Sequence, residues 1–153
     1  MADHTLKING FDGSSYRVGI VTAQFNEHIT DPMLKHCFDT LVNEFKVSVD
    51  NIDSVRVPGA ADAPAVLSAM AKTNKYDALI VMGAIVRGAT AHFDYVSDLL
   101  TQGIKDVQVI YALPVAFGVI MCDTQQQAKD RIVLGQEFAS AAMHTSKAIK
   151  NLA

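Results

Sequence analysis

Cysteine is scarce in this chain: Cys37 and Cys122 are the two examples in 153 residues, and they have no metal-like spacing. Two cannot build a disulfide framework, so buried free thiols are expected, because free cysteine behaves mainly as a small hydrophobe. Long apolar stretches are missing as well. Runs such as 78–84 and 115–122 are far shorter than the ~20 residues that a membrane-spanning helix needs. The opening MADHTLKINGFDGSSYR has no continuous apolar core and does not look like a signal peptide, which makes the cytoplasm the expected compartment. Basic residues are not in excess: 13 Lys and Arg face 16 Asp and Glu, for a net charge of -3 and a pI near 5.9. Without a broad positive field, nucleic acid is not an expected partner, and an anionic ligand would need a local site.

Half of the residues are hydrophobic and 19% are charged, which excludes both disorder and a fibrous repeat. The length suits one domain, able to bury roughly two thirds of the surface that the unfolded chain exposes. No repeat, low-complexity tract or linker divides it. The expected organisation is an N-terminal arm over 1–15 and one domain over 16–153.

Beyond the arm, strand-like and helix-like segments alternate. RVGIVTAQ (17–24) is β-rich. Asp31-Pro32 then opens an expected helix to Phe45, with Asp31 as N-cap and Pro32 in its first turn. Met33, Leu34, Cys37, Phe38, Leu41, Val42 and Phe45 recur within it at spacings of three and four, as one buried stripe does. Ser54 to Val57 is a short second strand, and Pro64 to Lys72 a covered helix. Asp77 to Val86 is a third strand, followed by a helix over about 92–108. Residues 109–112 either extend the next strand or lead into it, since Pro114 cannot donate a central ladder bond. Val115 to Cys122 is the fourth strand; 124–134 and 137–152 are helices, or one helix kinked around Gly135. Such alternation implies right-handed crossovers and a parallel sheet, and continuously apolar strands imply cover on both faces. The expected fold is a flavodoxin-like three-layer α/β/α sandwich with about four strands.

In open sheets of this kind, ligands lie outside the carboxyl ends of the strands. The unusual polar, Gly and Pro residues fall there: Phe25 to Thr30 after strand one, Pro58 to Pro64 after strand two, Gly83 to Tyr95 through the end of strand three, and Cys122 to Thr124 at strand four. Gly88 permits close backbone approach, while Ala89 and Thr90 offer N–H groups and a hydroxyl at a helix start, an arrangement that favours phosphate. A plain turn with a cap is the alternative. His92 can shuttle protons near neutral pH, or simply sit in the first helical turn. Asp62 is a candidate acceptor for polyol hydroxyls or a cap. Phe25 presents a flat face for a heteroaromatic ring, or closes the core. Arg131 is a surface charge unless another subunit's phosphate site reaches it.

The set GAIVRGATAHFDYV (83–96), with Phe25-Asn26, Ile29-Thr30, Val57-Pro58-Gly59-Ala60, Lys75-Tyr76-Asp77, residues 114–119 and Asp123-Thr124, resembles lumazine synthase in order and spacing. The resemblance runs from about Arg17 to the C-terminus. It implies condensation of 5-amino-6-(D-ribitylamino)uracil with 3,4-dihydroxy-2-butanone 4-phosphate to give 6,7-dimethyl-8-ribityllumazine, phosphate and water. The chain would then be a transferase of riboflavin biosynthesis that needs neither cofactor nor metal. By resemblance, Phe25 stacks on the pyrimidine and Asn26 lies near the ribityl chain. Ala60, Ala61 and Asp62 line the ribityl side, with Asp62 standing where a glutamate is common. Ile85 and Val86 hold the pyrimidine edge through backbone groups. Gly88, Ala89 and Thr90 form the phosphate loop, and His92 transfers protons. Phe117 and Arg131 come from the adjacent subunit, with Arg131 on the phosphate. The implied partners are the small-molecule substrates, further copies of the chain in a pentamer-type assembly, and riboflavin synthase as a candidate, with no membrane.

Two departures are visible: Ala61 replaces a bulky residue, and Ala139 falls where a lysine lining the site is common. They motivate an alternative, a weak or inactive lumazine or flavin carrier on the same fold. A phospho-acceptor receiver domain would need clustered acids after strand one, which Ala23-Gln24-Phe25-Asn26 does not supply.

Overall fold

The apolar runs form a four-stranded, all-parallel sheet in a computed structural model that describes residues 7–153. Its strands are β1 (Val18–Ala23), β2 (Ile52–Val57), β3 (Ala78–Val86) and β4 (Val115–Cys122), in spatial order β2-β1-β3-β4. β1 is buried at every position, as a strand covered on both faces must be. On one face Ile20, Ile80, Met82 and Ile120 meet Met33, Cys37 and Leu41 of α1 (Glu27–Asn43) and Ala142 and Met143 of α5 (Gly135–Lys150). On the other, Val21, Leu79, Val81 and Val119 meet Leu67 and Met70 of α2 (Ala63–Lys72) and Leu100, Ile104 and Val107 of α3 (His92–Tyr111). This is the expected three-layer flavodoxin-like sandwich.

Register gives the sheet a step. β1 pairs with β3 only as far as Thr22 opposite Met82, whereas β3 and β4 stay paired out to Val86 opposite Cys122. The Arg87 N–H, donating to the Cys122 carbonyl at 2.8 Å, continues that pairing. At ~3.3 Å per residue, Gly83 to Val86 extend β3 about 13 Å past its last partner in β1. The step lies between β1 and β3, where the strand order reverses and where such sheets open a crevice.

Three boundaries differ from the sequence expectation. Helix α1 starts at Glu27, so Pro32 is internal to it rather than in its first turn. The N-cap is Asn26, in the left-handed region at φ 62, and its side-chain amide donates to the Ala84 carbonyl at 2.8 Å. Thr30 Oγ1 donates to the Ala23 carbonyl at 3.0 Å. These two tethers fix the helix start against β1 and β3, while Asp31, the expected cap, instead pairs with Arg56 at 2.6 Å. Pro32 simply leaves the carbonyl four residues back without its helical donor. Helix α3 runs to Tyr111, so Val109 and Ile110 are helical and exposed (73% and 71%) despite their β propensity. The stripe Leu100, Ile104, Val107 outweighs local preference there. Finally, the two helices expected over 124–134 and 137–152 are both present but divide earlier: α4 (Gln125–Asp130) is shorter, a 3-10 turn covers Ile132–Leu134, and α5 begins at Gly135.

Residues 1–6 of the expected arm lie outside the described residues; from Lys7 onward the segment packs on its own chain. Phe11 meets Tyr16, Phe45 and His144 edge-on, with ring centroids 5.1–5.6 Å apart.

Both cysteines are buried and free, and burial pushes both thiols up. Since only the thiolate alkylates quickly, iodoacetamide at pH 7.5 is expected to label neither residue in the native protein and both after denaturation. Rapid native labelling at either site, read by mass spectrometry, would contradict this burial.

Candidate active site

A cavity of about 410 Å³ opens in the step, walled by the ends of β1, β2 and β3 and the start of α3. Phe25 leaves β1 with its N–H donating to the Pro58 carbonyl at 3.1 Å, which ties the loop after β1 to the loop after β2. Its ring is then 72% exposed at the mouth. Large aromatic surface left in water at the rim of an apolar cavity suits stacking on a planar ring.

The floor is built from small residues. Ala23, Gly59, Ala60, Ala61 and Ala84 line it, and a bulky side chain at 61 would occupy space that is open here. Ile85 and Val86 form the wall on the overhanging part of β3. Backbone groups at a strand edge without a neighbour are free to bond a ligand. The Ala84 carbonyl is already taken by Asn26.

Past β3 the chain makes the exposed turn Gly88–Thr90 and enters α3. Gly88, Thr90 and His92 line the cavity, and Thr90 Oγ1 accepts from the His92 N–H at 3.4 Å. The φ angle of Gly88 is not in the left-handed region, and a Cβ built on it would meet nothing within 4 Å. Neither backbone conformation nor crowding within the protomer therefore requires glycine at 88. The N-terminus of the long helix α3 faces the same space, with the N–H groups and partial positive charge that favour an anion.

The structure thus brings together Phe25, Ala60, Ala61, Ile85, Val86, Gly88, Thr90 and His92 of the candidates named from sequence. Others do not line the cavity. Asn26 is the tether described above. The Asp62 carboxylate turns back to accept from the Gly59 N–H at 3.0 Å, so it stabilises the loop that carries Ala60 and Ala61. Ala89 is exposed beside the cavity wall. Phe117 (39% exposed) and Arg131 lie on β4 and just after α4. The Arg131 guanidinium donates to the Gln127 carbonyl at 2.9 Å and sits near Cys122, where it partly opposes the upward push that burial gives the thiol. Ala139 is fully buried in the layer between α5 and the sheet, so the departure noted at that position falls in the core of this protomer.

Sequence reading does not single out Ala23, Pro58, Gly59, Ala84, Phe93 and Val96 as cavity residues. For the last two a signal existed: on a helix starting at 92, residues 92, 93 and 96 are neighbours on one face.

The profile of the family described as 6,7-dimethyl-8-ribityllumazine synthase matches residues 15–150. A protein of Methylobacillus flagellatus named 6,7-dimethyl-8-ribityllumazine synthase is 38% identical over 149 residues, which is 97% of each chain.

Proposed function

This chain belongs to the 6,7-dimethyl-8-ribityllumazine synthase family, and on that premise we propose that the cavity at the step of its sheet is one half of an active site that a second protomer completes. The reaction is the condensation of 5-amino-6-(D-ribitylamino)uracil with 3,4-dihydroxy-2-butanone 4-phosphate, a step of riboflavin biosynthesis. The single observation that carries the site assignment is the union, in one cavity, of an exposed aromatic ring, a strand edge with no neighbour, and a helix N-terminus beside a histidine.

The pyrimidine stacks on Phe25 and meets backbone groups of Ile85 and Val86. Its ribityl chain runs along Ala60 and Ala61, toward Asn26 and Asp62. The phosphate of the second substrate sits at Gly88, Ala89 and Thr90. The substrate amine attacks the ketone to form an imine with loss of water, phosphate leaves, and ring closure expels a second water. Because the nucleophile belongs to a substrate, the protein's contribution is alignment, proton transfer by His92, and stabilisation of the departing phosphate.

Arg131 and Phe117 serve the cavity of a neighbouring protomer, which fits their position outside the cavity of their own. Exposed Tyr95, Leu99, Val109 and Ile110 along α3 support self-association, for which we propose a pentamer-type ring. Residues 16–153 act as one catalytic domain behind an arm over 1–15. No helix among the described residues is long and apolar enough to cross a membrane, and we place the enzyme in the cytoplasm.

The direct test is the absorbance of lumazine formed from the two substrates. Arg131→Ala and His92→Ala protein, each impaired alone, should recover part of the activity once subunits are mixed, because some interfaces then hold one intact half from each. If every mixture stays at the level of the parents, the shared-site proposal fails.

A further inference from the structure

Arg87 follows the last residue of β3 and precedes the Gly88–Thr90 turn. Its Nε donates to Asp123 Oδ1 at 3.0 Å, at the tip of β4. Its Nη1 approaches Asp94 Oδ1 at 3.5 Å, in the first turn of α3, and its guanidinium lies 4.3 Å from the ring centre of Phe93. Phe93 in turn lines the cavity. One side chain therefore spans both ends of the turn and braces an aromatic wall. The three charged side chains are 47–69% exposed, and ion pairs that exposed contribute little to stability. Arginine suits this arrangement because its planar fork can engage two carboxylates while its face stacks on a ring.

We propose that Arg87 is a positioning residue: held by Asp123 and Asp94 and stacked on Phe93, it sets the turn that receives the substrate phosphate without itself touching the phosphate. This rests on the phosphate assignment made above. The competing role is a direct contact between Arg87 and the phosphate, and the two roles predict opposite signs for one substitution. Asp123→Ala removes a negative charge near an anion site and releases the arginine. Under direct contact, both effects tighten phosphate binding. Under positioning, the turn loses its anchor on β4 and binding weakens.

The experiment is steady-state kinetics on the assembled protein, with inorganic phosphate as competing ligand, for Arg87→Ala, Arg87→Lys, Asp123→Ala and the Arg87→Ala/Asp123→Ala double variant. Misplacing a binding group by about an ångström can cost up to ~100-fold, so a rise of about tenfold in KM for the phosphate substrate, and in Ki for inorganic phosphate, is expected for Asp123→Ala. Arg87→Ala should be at least as severe and the double variant no worse than it, because the two residues act as one unit. Arg87→Lys, which keeps the charge but not the fork, should resemble Arg87→Ala. KM for the pyrimidine should stay within about twofold and Tm should be unchanged, as for other surface substitutions.

Tighter or unchanged phosphate binding in Asp123→Ala would overturn the proposal, as would full activity of Arg87→Lys or equal rises in both KM values with a lowered Tm. If the unsubstituted protein forms no lumazine, the functional reading fails instead. Titration of the same variants with inorganic phosphate then still decides whether the clamp sets the turn.

Discussion

Replacing His92 with alanine is expected to lower kcat about 100-fold, the low end of what a positioned general acid or base supplies. The low end applies because the substrate amine is its own nucleophile and the two reactants remain aligned by the rest of the cavity. Stability should not change with it. His92 is exposed at the start of α3, its ring has no hydrogen-bond partner among the described residues, and its backbone N–H reaches Thr90 Oγ1 over 3.4 Å, a tie that alanine keeps. Lumazine formation under saturating substrates, measured beside a thermal melt, separates these outcomes; a kcat equal to that of the unsubstituted protein would remove His92 from the mechanism.

The second large effect is on folding, and it contrasts two glycines. A Cβ on Gly135 would stand 2.2 Å from the Met33 carbonyl oxygen and 3.0 Å from His36 Cβ, so the start of α5 could gain a methyl group only by moving away from α1. Alanine improves helix propensity by up to ~1 kcal/mol, but forced overpacking typically costs about 1–3 kcal/mol, and here the obstacle is a backbone carbonyl rather than a movable side chain. Gly135→Ala should therefore be destabilised by about 1–2 kcal/mol in denaturant unfolding. Gly88→Ala, with nothing within 4 Å of the added carbon, should unfold as the parent does yet bind the phosphate substrate more weakly. Equal stability of the two variants would refute the steric account.

These contrasts also show which features can be read from a linear chain. The limits of β4 and of α2 are visible because apolar runs and prolines mark them locally. The start of α1 is not: Asp31-Pro32 is a sound local start signal, but Asn26 begins the helix because a distant carbonyl, Ala84, holds its side chain. Likewise Val109 and Ile110 carry strand propensity yet continue α3, whose other face is committed to the core. At the site, Phe25, Thr90 and His92 could be named from motif and position. Asp62 reads equally well as a polyol acceptor or as a cap of the next helix, and only coordinates show that it is the N-cap of α2 with its carboxylate turned back to the Gly59 N–H. The buried position of Ala139 is a fact of helix phase, which the split between α4 and α5 makes hard to anticipate.

The early end of β1 has a consequence for recognition. Beyond the Asn26 tether at Ala84, Ile85 and Val86 run on without a strand partner on that side, and under the proposed function a flat molecule with donors and acceptors along one edge would dock there as a surrogate strand. Selectivity of this sort is written in chain length rather than in side chains. Ile85 and Val86 should tolerate exchange among aliphatic residues, whereas two more residues of β1 in register would seal the slot from within.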